Sequence, residues 1–207
     1  ALYYLQHPQN LQFALAIKYP KLFSDKQFLK ILFRNFMGSE LNLKHPQTFS
    51  EKLQWLKLYD HNPLYTQMVD KHEAKKYVAS IIGEEYIIPT LAVYNSTKEI
   101  NLDVLPDKFV LKCTHDSGSV AICKDKKTFK TDEAFAMLEK GLQKNYFWQN
   151  REWPYKNVKP RIIAEAYLED NDTQELRDYK FFCFNGEVKA LFIAGDRHKD
   201  EETKFDF

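Results

Sequence analysis

The chain has 207 residues, 44% hydrophobic and 29% charged, which describes a folded protein of one large domain or two small ones and excludes a disordered chain. Its formal net charge of +1 gives no global electrostatic case for binding nucleic acid or an anionic membrane. No apolar run approaches the roughly 20 residues that span a bilayer, and the three cysteines, Cys113, Cys123 and Cys183, are too few and too scattered for a disulfide or zinc framework.

The cysteines instead sit in strand-like runs, as small buried hydrophobes in a reducing compartment. No secretory leader is visible, so a cytoplasmic protein is the simplest fit. The chain begins at Ala1 rather than Met, so further residues are expected upstream.

Helical spacing of apolar residues runs over Tyr3–Tyr19, interrupted at His7-Pro8, and again over Asp25–Met37, where Gly38 is a stop signal. His7 and His45 both precede proline and read as loop residues. Thr48-Phe-Ser-Glu51 has the spacing of a capping box and opens a helix through Tyr59. Asn62-Pro63 opens another, predicted to run unbroken through Ile81 to Gly83. Its charged residues Asp70, Lys71, Glu73, Lys75 and Lys76 are expected to form a solvated face. Tyr86–Pro89 and Leu91–Tyr94 are short strand candidates.

Phe109–Cys113 and Val120–Cys123 then flank a polar loop, Thr114–Ser119, in a hairpin pattern. Lys112 lies inside an apolar run, where an ammonium group needs a partner. A small polar loop centred on Gly118 can turn several N–H groups toward one anion. A lysine beside such a loop is either a phosphate clamp or an edge lysine that snorkels to solvent. Thr131 is expected to cap a helix over Asp132–Lys144. The aromatic run Asn145–Tyr155 packs over the core or lines a groove.

Pro160 opens a strand, Arg161–Leu168, with Glu165 inside its apolar run. That carboxylate needs a donor, from an internal salt bridge or from an adenine amine. Tyr179–Phe184 and Val188–Ile193 are joined by Asn185-Gly186, a strong hairpin signal. Asp200–Phe207 reads as a polar tail.

In chain order, several phrases resemble those of the TupA-like family of the ATP-grasp superfamily, associated with cell-surface polysaccharide biosynthesis. They are Thr48-Phe-Ser-Glu-Lys-Leu-Gln-Trp-Leu-Lys57, Val69-Asp-Lys71, Gly83-Glu-Glu-Tyr-Ile-Ile-Pro89 and Leu105-Pro-Asp-Lys-Phe-Val-Leu-Lys112. The series continues with His115-Asp-Ser-Gly118, Arg151-Glu-Trp153, Pro160-Arg-Ile-Ile-Ala-Glu165 and Asp178-Tyr-Lys-Phe-Phe-Cys-Phe-Asn-Gly-Glu187.

The resemblance implies an α+β, ATP-grasp-like fold: an N-terminal helical segment over residues 1–60, then two small antiparallel-sheet lobes around a nucleotide cleft over residues 61–207. It implies that Lys112 contacts ATP phosphates, that His115, Ser117, Gly118 and Ser119 form the phosphate loop, and that Lys124 is a second nucleotide contact. Glu165 would accept from the adenine amine, Ala166, Tyr167 and Leu168 would offer backbone groups to the base, and Glu169 would reach a ribose hydroxyl. On this reading, Lys112 and Glu165 tolerate dry surroundings because a nucleotide fills the gap between them. Arg197 would approach the phosphates as a catalytic residue. No metal ligand is identified, and those for magnesium are expected beyond residue 207, since the family's late metal-binding strands are not seen here.

The implied activity is ATP-dependent carboxylate–amine ligation on a polysaccharide or amino-acid substrate, without nucleic acid or an integral membrane segment as partner. Two other readings stay open. One is a glycosyltransferase, for which Asp170-Asn-Asp172 has the spacing of an acidic metal motif. The other is a catalytically inactive nucleotide-binding remnant.

Overall fold

The computed structural model describes residues 8–169, 178–195 and 204–206. They form two compact units, one ending at Ala166 and the other beginning at Tyr167. Helices and two small antiparallel sheets make this an α+β protein. No helix among the described residues is long and apolar enough to cross a membrane.

The first unit opens with helices α1 (Pro8–Lys18), α2 (Asp25–Met37) and α3 (Phe49–Tyr59). Two of the three have capping boxes. Ser24 with Gln27 starts α2, and Thr48 with Glu51 starts α3, each pair satisfying N–H groups the helix itself leaves unbonded. Helix α2 ends at Gly38, whose φ of +67° suits glycine and closes the last turn on the Arg34 carbonyl. Its apolar residues divide between two neighbours. Phe28 and Leu32 pack with Ala16 of α1, while Leu29 and Phe33 pack with Leu41, Leu43 and Leu58.

The helix expected over 63–82 is two helices, α4 (Pro63–Val69) and α5 (Lys71–Ile82). Asp70 divides them. With φ −75° and ψ 112° it is extended, ending α4 and capping α5 by accepting from the His72 N–H at 2.9 Å.

The first sheet runs β1 (Thr90–Tyr94), β4 (Ile162–Ala166), β2 (Phe109–Cys113), β3 (Val120–Cys123), all antiparallel. Tyr86 closes a 3-10 turn, Glu84–Tyr86, rather than opening a strand. Alternation sends Phe109, Leu111, Cys113, Ile162 and Ala164 to one face. Helix α6 (Thr131–Leu142) covers that face with Ala134 and Leu138 to make the main core. Lys130, not Thr131, occupies the cap position of α6, without a side-chain hydrogen bond.

The aromatic run holds a short helix, α7 (Phe147–Asn150), and a 3-10 turn, Trp153–Tyr155. It packs on the N-terminal helices through Arg151, which is 0% exposed. The Arg151 guanidinium donates to the carbonyls of Pro20, Phe23 and Trp148 and lies over the Phe28 and Trp148 rings at 4.1 and 4.7 Å. Its Nε is 2.7 Å from Asp25 Oδ1, an ion pair off the line of a hydrogen bond.

The second unit is a three-stranded antiparallel sheet, β5 (Asp178–Phe184), β6 (Glu187–Gly195) and β7 (Lys204–Asp206). Asn185 and Gly186 turn the β5–β6 hairpin with φ of 51° and 79°, as a tight turn with two left-handed residues requires. The expected polar tail contributes a strand, since Lys204–Asp206 pairs with β6.

Candidate functional site

The face of the first sheet opposite α6 carries the charges. Val110 pairs with Glu165 and Lys112 with Ile163, so Lys112 and Glu165 are diagonal neighbours on that face. The Lys112 ammonium is in direct ion-pair contact with Glu165 Oε2. Helix α5 brings Lys75 to the other oxygen, Oε1, of the same carboxylate. Glu165 is therefore a buried carboxylate between two ammonium groups, its side chain 3% exposed against 17% for Lys75 and 23% for Lys112. This corrects the expectation that a gap for a nucleotide separates Lys112 from Glu165, and it fulfils the internal-salt-bridge reading of Glu165. Around the charges the face is apolar and half-open, with Val93, Val120 and Ile122 each exposed.

Helix α5 also organises the loop after β2. The Lys71 N–H donates to the Thr114 carbonyl at 3.0 Å, and its ammonium donates to the carbonyls of Cys113 and Asp116. Two loop carbonyls and the last carbonyl of β2 thus converge on one residue. Burial, with Lys112's charge adding to it, lowers the Lys71 pKa, while Asp116 opposes the shift. Arg161, just before β4, donates to Asp70 Oδ2 at 2.7 Å and Glu73 Oε1 at 2.9 Å, and its carbonyl accepts from the Thr114 N–H. Burial disfavours the Arg161 charge, but the two carboxylates outweigh it and raise its pKa.

Asp70, Lys71, Glu73 and Lys75 are therefore not a solvated face. Their partners lie far along the chain, so helical spacing alone hid them. The one local signal is that Lys71 and Lys75 stand one turn apart behind a capping aspartate.

Within the loop, His115 is buried, and its Nε2 donates to the carbonyls of Gly141 and Lys144, each at 3.1 Å. It anchors the loop to the end of α6. Ser119 is buried and donates to Asp116 Oδ2, while Asp116 Oδ1 is buried without a partner. Ser117 and Gly118 are exposed at the tip. Gly118 has φ +108°, and a Cβ there would meet nothing within 4 Å, so backbone geometry rather than space requires glycine. Among the described residues, the N–H groups of His115 through Ser119 donate to no backbone carbonyl. A run of such donors beside Lys112 and Lys71 fits a phosphate group.

Lys124 follows β3 and is exposed. Ala166 donates its N–H to the Pro89 carbonyl at 3.0 Å. Tyr167 is half-buried, and Leu168 and Glu169 are exposed. Arg197 and Asp170–Asp172 lie outside the described residues. Among those described, no three His, Cys, Asp or Glu side chains are grouped to hold a metal ion. The residues present fit a phosphate better than they fit magnesium.

No curated protein and no solved structure matches the chain. The family model described as TupA-like ATPgrasp matches residues 51–205, most of its length. On that match, with an α+β fold of helices and two small antiparallel sheets, the chain belongs to the TupA-like ATP-grasp family.

Proposed function

We propose that this protein is an ATP-dependent carboxylate–amine ligase-like enzyme that modifies a cell-surface polysaccharide precursor. One observation carries the reading: a lysine on strand β2 stands beside a loop whose consecutive N–H groups have no backbone acceptor among the described residues. That pairing suits a polyphosphate. ATP, when bound, supplies the phosphoryl group that activates a carboxylate for attack by an amine.

The chain's own residues position and neutralise. Lys112 meets phosphate oxygens, and the N–H groups of His115 through Ser119 surround them. Lys71 takes up the Cys113 and Asp116 carbonyls, so neither is turned against the anion. His115 fixes the loop to α6 rather than touching the ligand. The half-open apolar face around Val120 and Ile122 receives the base. On the family resemblance alone, the backbone of Ala166, Tyr167 and Leu168 is assigned to the base edge, Glu169 to a ribose hydroxyl and Lys124 to the outer phosphates, and the Ala166 N–H is already given to the Pro89 carbonyl. Glu165 acts through its lysines, since both of its oxygens are occupied. Arg197 is assigned to the reacting phosphate on the family resemblance. No step is assigned to magnesium.

Titration calorimetry tests this. ATP is expected to bind the wild type and to bind Lys112→Ala and Gly118→Val at least about tenfold more weakly, the loss of one charge-assisted contact or of the loop's shape. Equal affinity in all three overturns it. Tighter binding of a nucleotide sugar than of ATP supports a glycosyltransferase instead. ATP binding with no ADP release, whatever carboxylate and amine are supplied, marks an inactive remnant.

A further inference from the structure

The two lysines on Glu165 are not equivalent. Lys75 is ion-paired with Glu165 Oε1 and donates to the Ile88 carbonyl at 2.7 Å and to Thr90 Oγ1 at 3.1 Å. Three acceptors therefore surround an ammonium that has three N–H bonds. Lys112 has Glu165 as its one partner among the described residues and is the more exposed of the two. One cation is pinned, and the other keeps two protons to offer.

A buried carboxylate stripped of its counter-ion is costly, far more than one that keeps a single partner. If Lys112 were alone on Glu165, any anion recruiting it would leave such a bare carboxylate behind. With Lys75 fixed on the other oxygen, Lys112 can leave and Glu165 stays paired.

We propose that Lys75 is a positioning residue: it keeps Glu165 neutralised, so that Lys112 can pass from Glu165 to an incoming phosphate. The inference rests on the nucleotide reading of this face and adds a residue that does not touch the ligand. It also gives the direct Lys112–Glu165 pair a role, as the resting state from which the cation is drawn.

The experiment compares wild type, Lys75→Met, Lys75→Arg and the double variant Lys75→Met/Glu165→Gln. The first readout is the rate at which an amine-reactive reagent, trinitrobenzenesulfonate, labels Lys112, followed peptide by peptide. Lys112 is expected to label about fivefold more slowly in Lys75→Met, because it becomes Glu165's only counter-ion, and to recover in the double variant. Lys75→Arg keeps the charge and is expected to label like the wild type. The second readout is affinity for inorganic tripolyphosphate, expected to fall about tenfold in Lys75→Met and to return in the double variant. A merely structural lysine would not be rescued by removing the glutamate.

Unchanged Lys112 labelling in Lys75→Met, or no recovery in the double variant, overturns the inference. If labelling follows the expected pattern but the wild type binds neither tripolyphosphate nor ATP, the nucleotide reading fails while Lys75's hold on Glu165 stands.

Discussion

Lys112 and Glu165 touch. They sit diagonally across the β2–β4 ladder with no room for a ligand between their charged groups. Glu165→Ala would leave the ammonium groups of Lys75 and Lys112 facing one another without their carboxylate. The expected cost is about 3 kcal/mol, the range found when one partner of a buried pair is removed. Urea denaturation of the variant measures it. A loss below about 1 kcal/mol would mean that solvent already screens these charges.

Gly141, in the last turn of α6, lets the helix lie against the loop. A Cβ there would stand 2.5 Å from Ser119 Oγ and 2.8 Å from Cys113 Sγ. Both neighbours are buried, and burial pushes the Cys113 thiol pKa up to about 12, so it is no ready nucleophile. Gly141→Ala is expected to destabilise by about 1–3 kcal/mol through overpacking, against the usual helix-stabilising effect of that change. Chemical denaturation gives the sign, and a more stable variant would contradict the contact.

Arg151 holds the first helices to α7. Its planar group serves three carbonyls, Asp25 and three aromatic rings at once, a geometry lysine cannot reproduce. Arg151→Lys is expected to cost about 2–3 kcal/mol. It should also open the Pro20–Ser24 segment to limited proteolysis before the rest of the unit unfolds. Uniform protease resistance would place the anchor elsewhere.

Two carboxylates make stability depend on acid. The Thr97 hydroxyl and N–H hold Glu139 below its ordinary pKa of 4.5, and the Thr48 and Gln47 N–H groups do the same for Glu51. A depressed carboxyl stabilises the fold above its unfolded pKa and loses that contribution as pH falls through the folded value. Stability is therefore expected to decline below about pH 4.5. Glu139→Gln is expected to make that decline shallower, as thermal melts over an acid pH series would report. An unchanged slope would remove Glu139 from the account.

What could be read in advance was local. The hairpin around Thr114–Ser119 follows from alternation on both sides, and the Asn185-Gly186 turn from two residues that accept positive φ. The break at Asp70 was not legible, because no proline or glycine marks it. It depends on a side chain that caps α5 while binding Arg161, 91 residues away. The same limit hid the lysine partners. An odd charge in an apolar strand announces that it needs a counter-ion, but not which one. Lys112 and Glu165 posed that question separately and turned out to answer each other.

Lys71 and Lys75 project from one side of α5, a single turn apart. The first grips the carbonyls of the tip loop, the second the strand glutamate. One rigid rod therefore gauges the spacing between the two. Any twist of that rod would slacken both grips together, so loop and strand are tied to one another through the helix as well as through the chain.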